Sequence, residues 1–131
     1  MRTLVVDDDQ ICRSLLQHVL MPYGPVVYAI DGLGAVAEVA RSLAENKPFD
    51  LITLDIMMPD LDGQKTLSLI RRLEALFGCD RPAQIAMTTA LDDKDNLFQA
   101  FREQADFYFI KPLKLERVRA DLAKAGLIAG K

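Results

Sequence analysis

Leu51-Ile52-Thr53-Leu54-Asp55 is the stretch that decides the fold. The run is continuously apolar apart from one threonine and ends on a carboxylate. Unbroken hydrophobicity marks a strand covered on both faces, as in a parallel sheet, whereas a half-solvated strand alternates. Four more runs of this kind recur: Leu4–Val6, Val26–Ala29, Ile85–Met87 and Phe107–Ile110. Helical spacing fills the intervals, with Ile11, Leu15 and Val19 on one stripe and Val36, Val39, Ala40 and Leu43 on another. Leu67, Ile70 and Leu73–Leu76, then Leu97 with Phe101, then Leu115, Val118 and Leu122 continue it. Gly24-Pro25, Asp31-Gly32, Asn46-Lys47-Pro48 and Arg81-Pro82 punctuate the boundaries. The pattern is five βα units, which calls for a doubly wound α/β sheet of five parallel strands with right-handed crossovers.

All but the second run stop at residues with chemistry: Asp7-Asp8-Asp9, Asp55, Thr88-Thr89 and Lys111. In a parallel sheet these carboxyl ends share one edge, where open α/β sheets bind ligands. Carboxylates gathered there repel by about 4 kcal/mol per pair at ~4 Å and an effective dielectric near 20, so they need raised pKa values or a cation. All-oxygen ligands favour Mg²⁺. A carboxylate nucleophile, a lysine ammonium and a threonine hydroxyl beside such a metal suit phosphoryl transfer.

Composition narrows the alternatives. The 131 residues amount to one domain, half hydrophobic and 27% charged, with net charge −3. Basic residues are dispersed, which disfavours nucleic-acid binding, and no apolar stretch is long enough to span a membrane. The start is strand-like rather than a signal peptide, so a cytoplasmic location is expected. Cys12, Cys79 and His18 form no zinc pattern. Asp60-Leu61-Asp62-Gly63 hints at a calcium loop, but Met58 and Leu69 stand at its first and twelfth ligand positions.

Five motifs, in order and at matching spacing, resemble the receiver domains of two-component response regulators: Leu4–Asp9, Leu51–Pro59, Asp62-Gly63, Met87–Ala90 and Phe109–Pro112. The resemblance covers essentially the whole chain. It implies a flavodoxin-like fold with strand order 2-1-3-4-5 and a phosphorylation switch in which Asp55 becomes an aspartyl phosphate. Asp8 would bind Mg²⁺ directly, Asp7 through water, and Asp55 and the Met57 backbone carbonyl would complete the metal site. Thr89 would bond the phosphoryl oxygen after activation, and Lys111 would pair with Asp55 at rest. Tyr108 resembles the aromatic switch, and Lys111-Pro112 would be cis. Asp9 is expected to cap the first helix. Met57 and Leu91, beside the phosphate, are expected to shield it and prolong its life. Gln104 departs from the glycine common before Ala105-Asp106.

The implied partners are a sensor histidine kinase or histidine phosphotransfer protein and an unidentified downstream protein. Dimerisation on phosphorylation is left open. One domain is expected over residues 1–131, with a tail at 126–131 and no effector domain. Two other functions stay in view. Asp7-Asp8-Asp9-Gln10-Ile11 resembles the Asp-x-Asp-x-Thr motif of haloacid dehalogenase-type phosphatases but lacks its threonine. A pseudo-receiver would bind partners without taking phosphate.

Overall fold

The computed structural model describes residues 1–58, 61–90 and 105–129. Its elements are β1 (Thr3–Val6), α1 (Gln10–Leu20), a 3-10 turn (Met21–Tyr23), β2 (Val26–Ala29), α2 (Gly32–Ala44), β3 (Leu51–Asp55), α3 (Gly63–Leu76), β4 (Gln84–Ala90), β5 (Phe107–Lys111) and α4 (Leu115–Lys124). Leu91, Gln104 and the stripe of Leu97 with Phe101 lie outside the described residues. The strands are parallel and ordered β2-β1-β3-β4-β5, as expected. Because the order reverses at β1, the crevice between β1 and β3 opens at their carboxyl ends.

Two apolar layers sandwich the sheet. Leu4, Val6, Ile52, Leu54, Ile85 and Met87 face α2 and α3 with Val39, Leu67 and Ile70. Val5, Leu51, Ala86 and Phe109 face α1 and α4 with Leu16, Val19, Val118 and Leu122. All of these are at most 3% exposed, so successive residues of β1 and β3 bury opposite faces.

Three aspartates start helices by accepting a backbone N–H in the first turn: Asp9 from Ile11, Asp31 from Gly34 and Asp62 from Lys65, at 2.7–2.9 Å. The Asp9 cap was legible in the sequence. Gly63 packs so tightly under β3 that a Cβ would meet the Asp55 carbonyl oxygen, and its N–H donates to the Ile56 carbonyl at 2.9 Å. Asp62-Gly63 thus pins the start of α3 to the end of β3.

Two faces differ from the sequence expectation. Ile11 is 79% exposed and Leu76 82%, although both sit on apolar stripes. Each occupies a terminal turn of its helix, where the apolar period continues but the side chain stays exposed. Beyond α4 the described chain closes back on the helix. The Leu127 N–H donates to the Leu122 carbonyl at 3.0 Å with Gly126 at φ 78°, and Leu127 and Ile128 pack on the α1/α4 side. No described helix is long and apolar enough to cross a membrane.

Candidate functional site

The ends of β1, β3 and β5 bring three of the expected groups into contact. The Lys111 Nζ lies 3.3 Å from Asp55 Oδ2 and 3.3 Å from Asp7 Oδ2. Asp8, exposed at the rim, completes a set of three carboxylates whose oxygens lie within 4.8 Å of one another. Asp7 is 1% exposed and Asp55 5%, so both acids are held out of bulk water.

The backbone fixes their orientation. Asp7 Oδ1 accepts the Asp9 N–H at 2.9 Å, and Asp55 Oδ1 accepts the Met57 N–H at 3.2 Å. Arg13 also holds the loop, donating from Nη1 to the Asp7 carbonyl at 2.8 Å while its guanidinium stacks on Tyr28. Sequence reading missed Arg13, since a lone arginine in the first turns of a helix carries no signal of its target. The Lys111-Pro112 peptide is cis, as the resemblance implied.

Burial pushes the Asp55 carboxyl up, and the Asp7 charge pushes it further; Lys111 and the Met57 N–H oppose them, leaving it at about 6. Burial also works against the Lys111 ammonium, but Asp55 and Asp7 outweigh it and hold Lys111 above its ordinary value. Between 3.8 and about 6 the folded chain therefore binds a proton at Asp55 that the unfolded chain releases. Metal-free stability should fall as pH rises through that window and stay low above it. Asp55→Asn removes this penalty and leaves Lys111 its Asp7 partner. In chelator, the variant should be more stable at pH 7 by on the order of 1–2 kcal/mol, a figure discounted for solvent at the mouth, with the gap closing towards pH 4. Urea unfolding at both pH values measures it, and a gap that widened on acidification would refute the assignment.

The donor set suits a hard cation. Asp7 Oδ2 is buried and makes no hydrogen bond among the described residues despite the nearby ammonium, so it keeps a lone pair aimed into the cluster. All three side chains offer oxygen, the chemistry Mg²⁺ takes.

The remaining expected residues stand around this core. Thr89 is 3% exposed, and its hydroxyl donates to the Ala90 carbonyl at 3.0 Å rather than to Asp55. Tyr108 is half-buried and packs on the layer facing α2 and α3. The Met57 side chain is 65% exposed beside the mouth, whereas Met58 is core.

Residues 3–123 match the response regulator receiver domain family. The chain is 32% identical over 120 residues to two-component response regulator ORR24 of Oryza sativa subsp. indica, spanning 91% of this chain and 18% of the relative. It is 35% identical over 130 residues to regulatory protein VanRB of Enterococcus faecalis, spanning 96% of this chain and 54% of that one. The receiver domain of NtrX from Brucella abortus superposes with a TM-score of 0.77 at 25% identity, covering 98% and 99% of the two chains.

Proposed function

The chain belongs to the response regulator receiver domain family of two-component signalling, and from that premise we propose that Asp55 is its phosphate acceptor. The observation that carries this is the contact of Lys111 with both Asp55 and Asp7 at 3.3 Å, at the switch point of the sheet. One carboxylate is buried, oriented and paired with a cation that a phosphoryl group could inherit.

In the proposed reaction an Asp55 oxygen attacks phosphorus. A new O–P bond forms, the donor's P–N or P–O bond breaks, and the leaving group departs with the electron pair. Lys111 draws charge from the phosphoryl oxygens, and Thr89, turned from the Ala90 carbonyl, gives its hydroxyl to one of them. Mg²⁺, held by Asp7, Asp8, Asp55 and the Met57 carbonyl, would supply charge neutralisation between carboxylates and phosphate. The donor would be a histidine kinase or histidine phosphotransfer protein.

Output would follow as a population shift that phosphate drives by favouring one state over the other. Movement of Thr89 would make room for Tyr108 to turn inward. Tyr108, Ile110, Lys114 and Arg117 line a groove of about 670 Å³ along β5 and α4, a surface that such a turn would reshape for a protein target. Met57 and Leu91 are proposed to screen the acyl phosphate from water. Met57→Asn should then shorten its half-life by roughly threefold to tenfold, within the effect of one polar contact. An unchanged half-life would sink that part.

Intact-protein mass after incubation with acetyl phosphate tests the central claim. One phosphoryl adduct that requires Mg²⁺ is the expected result. Steady turnover of a generic phosphate ester would point to a phosphatase instead. A folded chain that takes no phosphate with Mg²⁺ present would be a phosphate-independent binding module.

A further inference from the structure

Beside and beneath Asp55 lie two buried hydroxyls that no step above uses. Asp55 pairs in register with Thr88 on β4, and Thr53 precedes it by two residues on β3, so all three side chains share one face of the sheet. The apolar part of that face is built from Val5, Leu51, Ala86 and Phe109 under α1 and α4. Thr53 and Thr88 are each 1% exposed, and neither Oγ1 makes a hydrogen bond among the described residues. Buried hydroxyls are mostly partnered, so an unpartnered one beside a reactive carboxylate calls for an explanation. Valine would fill the same volume without that burden.

Strand order says what the hydroxyls face. Asp55 has the Asp7 carboxylate on its β1 side and Thr88 on its β4 side. Among the described residues Asp55 accepts from the Met57 N–H and from Lys111, and from neither threonine. Thr88 is the register neighbour of Asp55 on β4, and Thr53 lies one pleat below it on β3.

We infer that Thr88, backed by Thr53, is a positioning residue whose hydroxyl holds the Asp55 carboxylate from its β4 side as the phosphoryl group arrives. The inference rests on Asp55 being the phosphate acceptor. The hydroxyl donates to the oxygen that does not attack, fixing the carboxylate plane so that the other oxygen meets phosphorus. It acts through Asp55 and touches neither donor nor metal.

Thr3 supplies the control. It lies on the same face at the far end of β1, is fully buried, and its hydroxyl is likewise unpartnered among the described residues. Thr3→Val and Thr88→Val therefore make one chemical change at two distances from Asp55. The experiment is the rate of adduct formation from acetyl phosphate at saturating Mg²⁺, with the Mg²⁺ midpoint measured separately. Thr88→Val should slow phosphorylation about five- to tenfold, the worth of one hydrogen bond, with the Mg²⁺ midpoint unmoved. Thr88→Ser should restore the rate and Thr3→Val should match the wild type. Thr88→Ala is the second variant should valine disturb packing, and it should be as slow. A wild-type rate in either non-hydroxyl variant, equal slowing by Thr3→Val, or failure of serine to rescue overturns the inference while phosphorylation of Asp55 stands. If the wild type itself takes no phosphate, the inference falls together with the reading beneath it.

Discussion

Asp55→Asn is expected to leave the protein folded, more stable than wild type at neutral pH without metal, and unable to carry a phosphoryl group at any Mg²⁺ concentration. The two effects have one cause. The amide fills the same space and can still accept the Met57 N–H, so the end of β3 keeps its geometry. It cannot ionise, so the cost of burying a charge there disappears together with the repulsion from Asp7, the two causes that lift the acid to about 6. An amide oxygen is also too poor a nucleophile to open a P–O bond on this timescale. The adduct should vanish outright rather than slow.

Lys111→Ala separates the chemical part of this from the electrostatic part. It keeps the nucleophile but removes the cation 3.3 Å from both acids. Losing one positioned charge-stabilising group costs about 10²-fold in rate, so the adduct should still form, slowly. Without metal this variant should be destabilised at pH 7, the opposite of Asp55→Asn, because two buried carboxylates lose their shared counterion. An adduct on Asp55→Asn at the wild-type level would move the phosphate to another residue. Equal total loss in both variants would mean that Lys111 has a larger role than charge.

Much of this arrangement could be read in advance because the chemistry lies where strands stop. Asp7, Asp55, Thr88-Thr89 and Lys111 each terminate an apolar run, so the parallel-sheet reading placed them on one edge. What stayed hidden depends on contacts across the sequence. Ile11 and Leu76 obey the helical period but sit exposed in terminal turns, and burial there is set by what packs against the turn rather than by the helix pattern. Thr53 resembles an ordinary strand former until the strand places it one pleat below the nucleophile, and only the register sets Thr88 beside it. Arg71, Glu74 and Asp106 resemble solvated surface charges, yet they form a closed network at the opposite edge of the sheet.

Glu74→Ala is expected to destabilise the fold by about 3 kcal/mol, because it breaks a buried ion pair and removes the acceptor of a buried backbone N–H. Glu74 is 6% exposed. Its Oε1 accepts from Arg71 Nη1 at 2.8 Å, and its Oε2 accepts the Ala83 N–H at 2.7 Å. Arg71 reaches on to the Ala83 carbonyl at 2.8 Å and to Asp106 Oδ2 at 3.0 Å. Asp106 Oδ2 in turn accepts the Ile85 N–H at 2.7 Å, so α3, the start of β4 and the approach to β5 are tied together. Alanine leaves the buried Ala83 N–H without an acceptor, a loss of about 1–3 kcal/mol, and strips the guanidinium of its more buried anion. Arg71 keeps Asp106 and the Ala83 carbonyl, so the total stays at the low end of the range for a broken buried pair. Glu74→Gln should recover only part of it: one amide oxygen can serve Arg71 or Ala83, and its NH₂ then faces the other donor. Urea midpoints for the three proteins measure this, and a Glu74→Ala cost below about 1 kcal/mol would show the network to be dispensable. Because Ala83 and Glu74 lie at the amino end of β4, away from Asp55, the phosphorylation rate per folded molecule should be unchanged.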